Sequence, residues 1–319
     1  MTAMTALPVR VGMFLPRGEI DADKREVARV LDRMRLAGID YVGVAHVSFH
    51  TGWGQDGLTE AMALAALSDL PVYIGVYLLA LRHPVVTARQ IAQFNQRAPG
   101  KLILGVGVGG EDRHEVEICG IDPKTRGRRT DECIEILRLL LSGEWSDYQG
   151  RFYEFEHTRI IPGTPVELPI IVGGRDPRAL RRAGVLGDGW LGIWSTPEKY
   201  AERRAEVEAY AAEAGRTDVA WDHSLQPWCG IATTKAAARE RVATGMENLY
   251  RIPFKRFERF TPYGTPAEVA AFFRPYVAAG ACHFNMSAQT ETWEEAVEGV
   301  AEVRRLLKRE ADRSQHRDR

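Results

Sequence analysis

Apolar runs of four to eight residues alternate with longer stretches of helical spacing along most of this chain. Residues 9–15 form the first apolar run, and residues 23–37 follow with Val27, Val30, Leu31 and Met34 on one helical face. The pattern repeats. Strands are predicted over 41–47, 72–79, 102–108, 169–172, 189–194 and 282–286, with a seventh inside 220–231. Helices are predicted over 58–67, 84–97, 130–141, 177–183, 196–214, 235–250 and 292–308. Pro84 opens one helix, Thr265-Pro266 with Glu268 forms a capping box, and Thr292 with Glu295 forms a second. Residues 145–155 read as a small hairpin excursion. Eight β-then-α units without a composition break predict a single α/β domain, a (β/α)8 TIM barrel over 1–308, with a charged, disordered tail at 309–319. Residues 252–263 do not fit a plain unit. They are basic and aromatic, and read either as an inserted loop over the barrel mouth or as a solvated connection packed by its aromatics.

Size and charge narrow the classes. A chain of 319 residues, 45% hydrophobic, can bury one large core. A net charge of −1 gives no bulk field for nucleic acid or an anionic membrane. Cys119, Cys133, Cys229 and Cys282 are scattered without a CxxC, which predicts free thiols in a reducing cytoplasm and no metal site. No signal-peptide h-region and no membrane-spanning run is visible. A cytoplasmic location is expected.

The most informative stretch is Lys101 to Asp112. A buried strand ends in Gly105, Gly107, Gly109 and Gly110, which strip side chains from its C-terminal end, as a flat or anionic ligand approaching the backbone would require. Gly105-x-Gly107-x-x-Gly110 also matches the dinucleotide fingerprint. The following segment is helical, however, and offers no strand bearing the required acid. In a barrel, catalytic groups come from strand C-termini. Those ends supply Phe14 and Arg17; His46, His50 and Trp53; Tyr77 and Leu78; Val108 to Glu111; Gly173, Gly174 and Arg175; Trp194; and His283, Asn285 and Met286. Gly173-Gly174-Arg175 ahead of a helix opened by Asp176-Pro177 reads as a phosphate cradle or, equally, as a tight turn with a solvated arginine. His46 ends an apolar strand, where it is either a proton-transfer or cofactor-contacting group or a core histidine satisfied by backbone. No serine-hydrolase elbow and no Walker loop is present.

Six motifs in order carry a family resemblance. They are Leu104-Gly-Val-Gly-Val-Gly109, Gly127-Arg-Arg-x-Asp-Glu132, Gly150-x-Phe-Tyr153, Pro169-Ile-Ile-Val-Gly-Gly174, Arg181-Arg-Ala183 and Gly187-Asp-Gly-Trp190. The chain resembles the bacterial-luciferase-like superfamily of flavin- or F420-dependent oxidoreductases over most of its length. The resemblance implies a cofactor ring at the barrel mouth beside Gly107, Val108, Gly109 and Gly110, its phosphate on Gly173, Gly174 and Arg175, and His46 near the reactive face. It also implies a bulged cis peptide under the ring, by position at Tyr77-Leu78. Phe14, Trp53 and Trp194 are expected to line the substrate pocket.

Two positions depart from the F420-dependent sugar-phosphate dehydrogenases of that family, whose acids are replaced by Ala45 and Gly110, so a sugar phosphate is a poor substrate expectation. Asp188 is expected to tie a turn. The leading expectation is hydride transfer between coenzyme F420 and a small organic molecule, with His46 as proton partner. The alternatives are an FMNH2/O2-dependent two-component monooxygenase served by a flavin or F420 reductase, a non-catalytic flavin or deazaflavin binder, and an unrelated barrel enzyme acting on a phosphorylated metabolite. A homodimer is expected by analogy with the family.

Overall fold

The computed structural model describes residues 8–16, 23–50, 53–109, 113–164 and 166–317. In chain order the strands are β1 (Arg10–Phe14), β2 (Val42–Val44), β3 (Val47–His50), β4 (Trp53–Gln55), β5 (Val72–Tyr77), β6 (Leu102–Val106), β7 (Ser146–Gln149), β8 (Glu154–Thr158), β9 (Ile170–Gly173), β10 (Gly189–Gly192), β11 (Ser224–Leu225), β12 (Trp228–Ile231), β13 (Tyr263–Gly264) and β14 (His283–Gln289). The helices are α1 (Lys24–Leu36), α2 (Gly57–Leu67), α3 (Pro84–Arg97), α4 (Arg113–Ile118), α5 (Arg126–Leu141), α6 (Pro177–Leu186), α7 (Pro197–Glu213), α8 (Lys235–Tyr250), α9 (Pro266–Ala278) and α10 (Trp293–Arg317). Strands β1, β2, β5, β6, β9, β10, β11 and β14 pair in parallel in that order, and β14 returns to β1 with Arg10 opposite His283, which closes an eight-stranded TIM barrel. No described helix is long and apolar enough to cross a membrane. Cys133, Cys229 and Cys282 are buried and Cys119 is exposed, each as a free thiol.

Local chemistry sets the helix starts. The Asp23 carboxylate accepts from the Arg25 N–H at 2.8 Å and opens α1, and Asp56 accepts from the Thr59 N–H at 2.8 Å and opens α2. Thr265 and Glu268 form the expected reciprocal box on α9. At α10 only half of the second box forms: the Glu295 N–H reaches Thr292 Oγ1 at 3.2 Å, while the Glu295 carboxylate accepts from the Glu291 N–H at 3.1 Å. α10 runs on to Arg317, beyond the predicted end at 308.

Two sequence expectations are corrected. The segment expected to hold one strand within 220–231 holds two, β11 and β12, separated by Gln226 and Pro227. β11 pairs with β10, whereas β12 pairs with β13, and both lie on β14. Proline has no N–H for the ladder, so the strand changes neighbour there. The second correction concerns the strand expected over 41–47. It ends at Val44, and Val47 onward forms a separate two-stranded ribbon with β4.

The ordered motifs turn out to be ties between units. The Glu132 carboxylate accepts from the backbone N–H groups of Arg151, Phe152 and Tyr153 at 2.9, 2.9 and 3.2 Å, and so fastens the β7–β8 hairpin turn to α5. Gly150 is required because a Cβ there would collide with that carboxylate. Arg182 on α6 pairs with Asp131 and donates to the Gly127 carbonyl at 2.9 Å. Asp188 accepts from the Ile170 N–H at 2.8 Å and from Arg138 at 2.6 Å, a turn tie as expected. Glu132→Ala strands three backbone donors at once. It is expected to destabilise the fold by about 2–3 kcal/mol, measured by urea denaturation.

Candidate functional site

The C-terminal ends of the barrel strands form a mouth whose floor is Val76. Its two γ-methyls occupy the space beside Gly107, just past β6, and Gly173, at the end of β9: a Cβ on Gly107 would overlap the valine and one on Gly173 would lie 3.3 Å from it. Val76 is half-buried and caps the interior cluster of Tyr41, Tyr73, Ile103, Ile171 and Leu191. The cis peptide expected at Tyr77-Leu78 lies instead at Gly75-Val76. The β5–β6 register shifts between Ile74 and Tyr77, so the irregular residues of β5 are the two before Tyr77. Tyr77 is fully buried against the His46 ring, with centroids 4.3 Å apart. Leu78 is buried, with its δ-methyls toward Gly107 and Gly109. Val108 and Gly109 are half-buried beside it, and Gly109 has φ +71°, which a glycine adopts without cost. Gly110, Arg17, Glu111 and the side chains of Trp53 and His50 lie outside the described residues.

His46 is buried, and its Nδ1 accepts the Gly57 N–H at 3.1 Å. That bond assigns the proton of the neutral ring to Nε2. Asp56 lies 3.6 Å from Nδ1, but this carboxylate also pairs with Arg82 and caps α2. Burial dominates, Asp56 opposes it, Arg82 adds to it, and the histidine pKa falls to about 4. His46 is therefore uncharged near pH 7, and the short Asp56 contact is no ion pair there. Both sequence readings of His46 therefore concern a neutral ring bonded to backbone.

The phosphate cradle expected at Gly173-Gly174-Arg175 is built differently from a bare helix N-terminus. The Asp176 carboxylate takes the N–H groups of Arg178 and Ala179 at 2.9 and 3.1 Å. Positive charge comes from side chains instead. Arg175 is exposed and lies over the Trp194 ring at 5.3 Å. Arg203 on α7 donates to Ser195 Oγ at 2.6 Å, and its pKa is lowered by burial and by the neighbouring Arg175. Among the described residues, no carboxylate lies within ion-pair distance of either arginine. Arg203 and Ser195 were not found by sequence reasoning, since nothing in their spacing links them to Arg175.

Trp194 follows β10 with φ +46°, a left-handed conformation unusual for so bulky a residue. Its ring meets Tyr250 at 5.2 Å and Phe257 at 5.0 Å, and Trp228 Nε1 donates to the Tyr250 hydroxyl at 3.1 Å. The 252–263 segment thus packs by Phe254 and Phe257 beside the mouth, as both sequence readings of it allow. Phe14 ends β1, half-buried and in register with Gly43.

His283 is corrected from mouth to floor. β14 continues to Gln289, so His283 begins the strand and lies beside Arg10 and Ser224 at the N-terminal end of the barrel. It is fully buried, with Nε2 at 3.1 Å from the Asp222 carboxylate, and burial holds its pKa well below the ordinary range.

The depressed pKa of His46 makes a stability prediction. Its folded value of about 4 lies below the ordinary 6.5, so the unfolded chain binds more protons between these values, and stability is lost as pH falls through that window. The contribution is roughly 2–3 kcal/mol between pH 7 and pH 4.5. His46→Asn, which can still accept from Gly57, is expected to flatten that part of the profile in urea melts at the two pH values. His223 and His283 titrate alike in both proteins.

The comparisons with known proteins follow this geometry. Over 160 residues the chain is 34% identical to an uncharacterised protein of Mycobacterium tuberculosis, covering 50% of this chain and 54% of the other. It thus spans about half the length of the first curated relatives it matches. It is 28% identical over 295 residues to an F420-dependent glucose-6-phosphate dehydrogenase of Kribbella flavida, covering 82% of this chain and 87% of the relative. An F420-dependent secondary alcohol dehydrogenase, solved with an F420-acetone adduct, has the same fold with a TM-score of 0.82 at 18% identity, covering 94% of this chain and 99% of that one. The luciferase-like monooxygenase family model matches residues 1–310, and the chain belongs to that family, whose members use F420 or a flavin.

Proposed function

We propose that this protein is an F420-dependent oxidoreductase that moves a hydride between the deazaflavin and a small organic substrate. The observation that carries the reading is a flat floor ending in cations: Val76 between Gly107 and Gly173, then Gly174, Arg175 and Arg203. The residues fit the group. Half-buried Val76, Val108 and Gly109 offer a surface for a planar ring, and among the described residues Arg175 and Arg203, which would hold its phosphate chain, have no carboxylate within ion-pair distance. The named F420-dependent relative, aligned over 82% of this chain, favours F420 over FMN.

Bound F420 supplies the hydride chemistry. The chain's own residues orient the ligand and hold one proton. Val76, Leu78, Gly107, Val108 and Gly109 form the bed, with Gly110 and Tyr77 beside it in sequence. Gly173, Gly174, Arg175 and Arg203 hold the phosphate. His46 is kept neutral, with Nδ1 accepting from the Gly57 N–H and the ring proton on Nε2, and is the histidine assigned to the reactive side. Ala45 stands where the sugar-phosphate dehydrogenases resembled by this chain have an acid, so a sugar phosphate is not the proposed substrate. Phe14, Trp53 and Trp194 are assigned to the substrate side.

A second reading, reduced FMN with O2, draws support from the aromatic wall of Trp194, Tyr250 and Phe257, which would exclude water from one side of the mouth.

A side-by-side titration of the purified protein with F420 and FMN, each oxidised and reduced, tests the assignment. Tighter binding of F420 is expected. Preference for reduced FMN would replace this reading with the monooxygenase, and binding of neither would remove both. Stoichiometric binding without turnover of any alcohol, aldehyde or ketone would favour a carrier. Arg203→Met is expected to weaken the preferred cofactor about 5–20-fold, and to lower the salt dependence of its Kd.

His46→Ala is expected to lower turnover about 10–100-fold, since it removes one positioned donor. Unchanged turnover with unchanged cofactor affinity would exclude His46 from the chemistry.

A further inference from the structure

The floor residue is held from the opposite wall of the barrel. Gln226 sits at the break between β11 and β12, its backbone N–H bonded to the Gly192 carbonyl at 3.0 Å. Its side chain crosses the interior. Nε2 donates to the Gly75 carbonyl at 3.3 Å, and Oε1 accepts from Asn285 Nδ2 at 3.2 Å. The polarity of this chain is determined. A carbonyl can only accept, so Gln226 must present its nitrogen to Gly75, and its oxygen is left for the Asn285 nitrogen.

Space for the pair is cut out of the barrel. A Cβ on Gly43 would collide with Asn285 Oδ1, and one on Gly75 would collide with Gln226 Oε1. Asn285 is fully buried, whereas Gln226 is half-buried and reaches the mouth. Gly75 directly precedes Val76, whose methyls are wedged between Gly107 and Gly173. Fixing the Gly75 carbonyl therefore fixes the height and tilt of the valine.

We propose that Gln226, oriented by Asn285, is a positioning residue that sets the Val76 floor and through it the fit of the cofactor ring. Its effect on the cofactor rests on the reading that the ring lies on Val76. Its effect on the backbone of residues 75–78 does not.

The test uses Gln226→Met, which keeps the length without the hydrogen bonds, and Gln226→Glu, whose ionised carboxylate cannot donate to Gly75. Amide hydrogen exchange at residues 76–78 of the cofactor-free protein is expected to quicken at least 10-fold in both variants, with exchange in α3 and α9 unchanged. Binding of F420 or FMN, whichever the wild type takes, is expected to weaken at least 10-fold, with the absorption band of the bound cofactor displaced from its wild-type position. Arg203→Met is the reference, expected to weaken binding without moving that band.

Exchange at 76–78 equal to wild type in Gln226→Met would overturn the proposal, whatever the cofactor result. Faster exchange with wild-type affinity and band position would overturn the link to the ring. A wild-type protein that binds neither cofactor would defeat the functional reading, while the exchange measurement would still decide the role of Gln226.

Discussion

A closed eight-stranded barrel has room for few large side chains across its axis, so large residues must face positions that have none. Here Tyr41 fills the space at Gly12, Asn285 that at Gly43, Gln226 that at Gly75, and Val76 that at Gly107. The interior is unusually polar for this architecture, with Tyr41, Tyr73, Asp222, His283 and Asn285 buried in it. Each polar group removed from water needs a partner, and partners inside a barrel lie on other strands. The hydrogen bonds of Gln226 to Gly75 and Asn285 are interior bonds that also bear on the mouth.

The same accounting governs charge. His46 and His283 each lie near a carboxylate, and each is nonetheless kept neutral. Asp56 is already shared between Arg82 and the α2 N-terminus, and Asp222 is paired with Arg10. A carboxylate whose charge is spent on arginine cannot offset the desolvation of a second cation. In the described mouth Arg175 and Arg203 have no carboxylate within ion-pair distance, and an incoming anion would relieve their mutual repulsion.

The architecture was legible because it is written in local patterns: strand runs, the capping box of Thr265 and Glu268, and the glycines that end β6 and β9. The family was legible for a related reason. Its ordered motifs are mostly structural ties, such as Glu132 on the turn after Gly150, Arg182 on Asp131, and Arg138 on Asp188. Ties of that kind report the fold and say little about a substrate. Gln226, Arg203 and the position of the irregular peptide in β5 were not legible, because each depends on a partner across the barrel with no fixed spacing in sequence. His46 was found by its place at a strand end, but its protonation state depends on Asp56, Arg82 and burial, which a linear reading does not combine.

The break at Pro227 links the two sides of the mouth. The chain passes from β10 to β13 at Pro227, so Gln226 makes the last backbone bond to β10, to the Gly192 carbonyl, and sends its side chain inward to Gly75. The same departure ends the β10–β11 pairing at Leu225, and there Trp194 turns through a left-handed conformation onto Tyr250 and Phe257. An uninterrupted seventh strand would keep residues 226–228 in the ladder with β10. It would also leave the 252–263 segment without the aromatic surface it packs on. One imino acid in the strand thus couples the height of the floor to the position of the aromatic wall, and a change in either is expected to be felt by the other through residues 226–228.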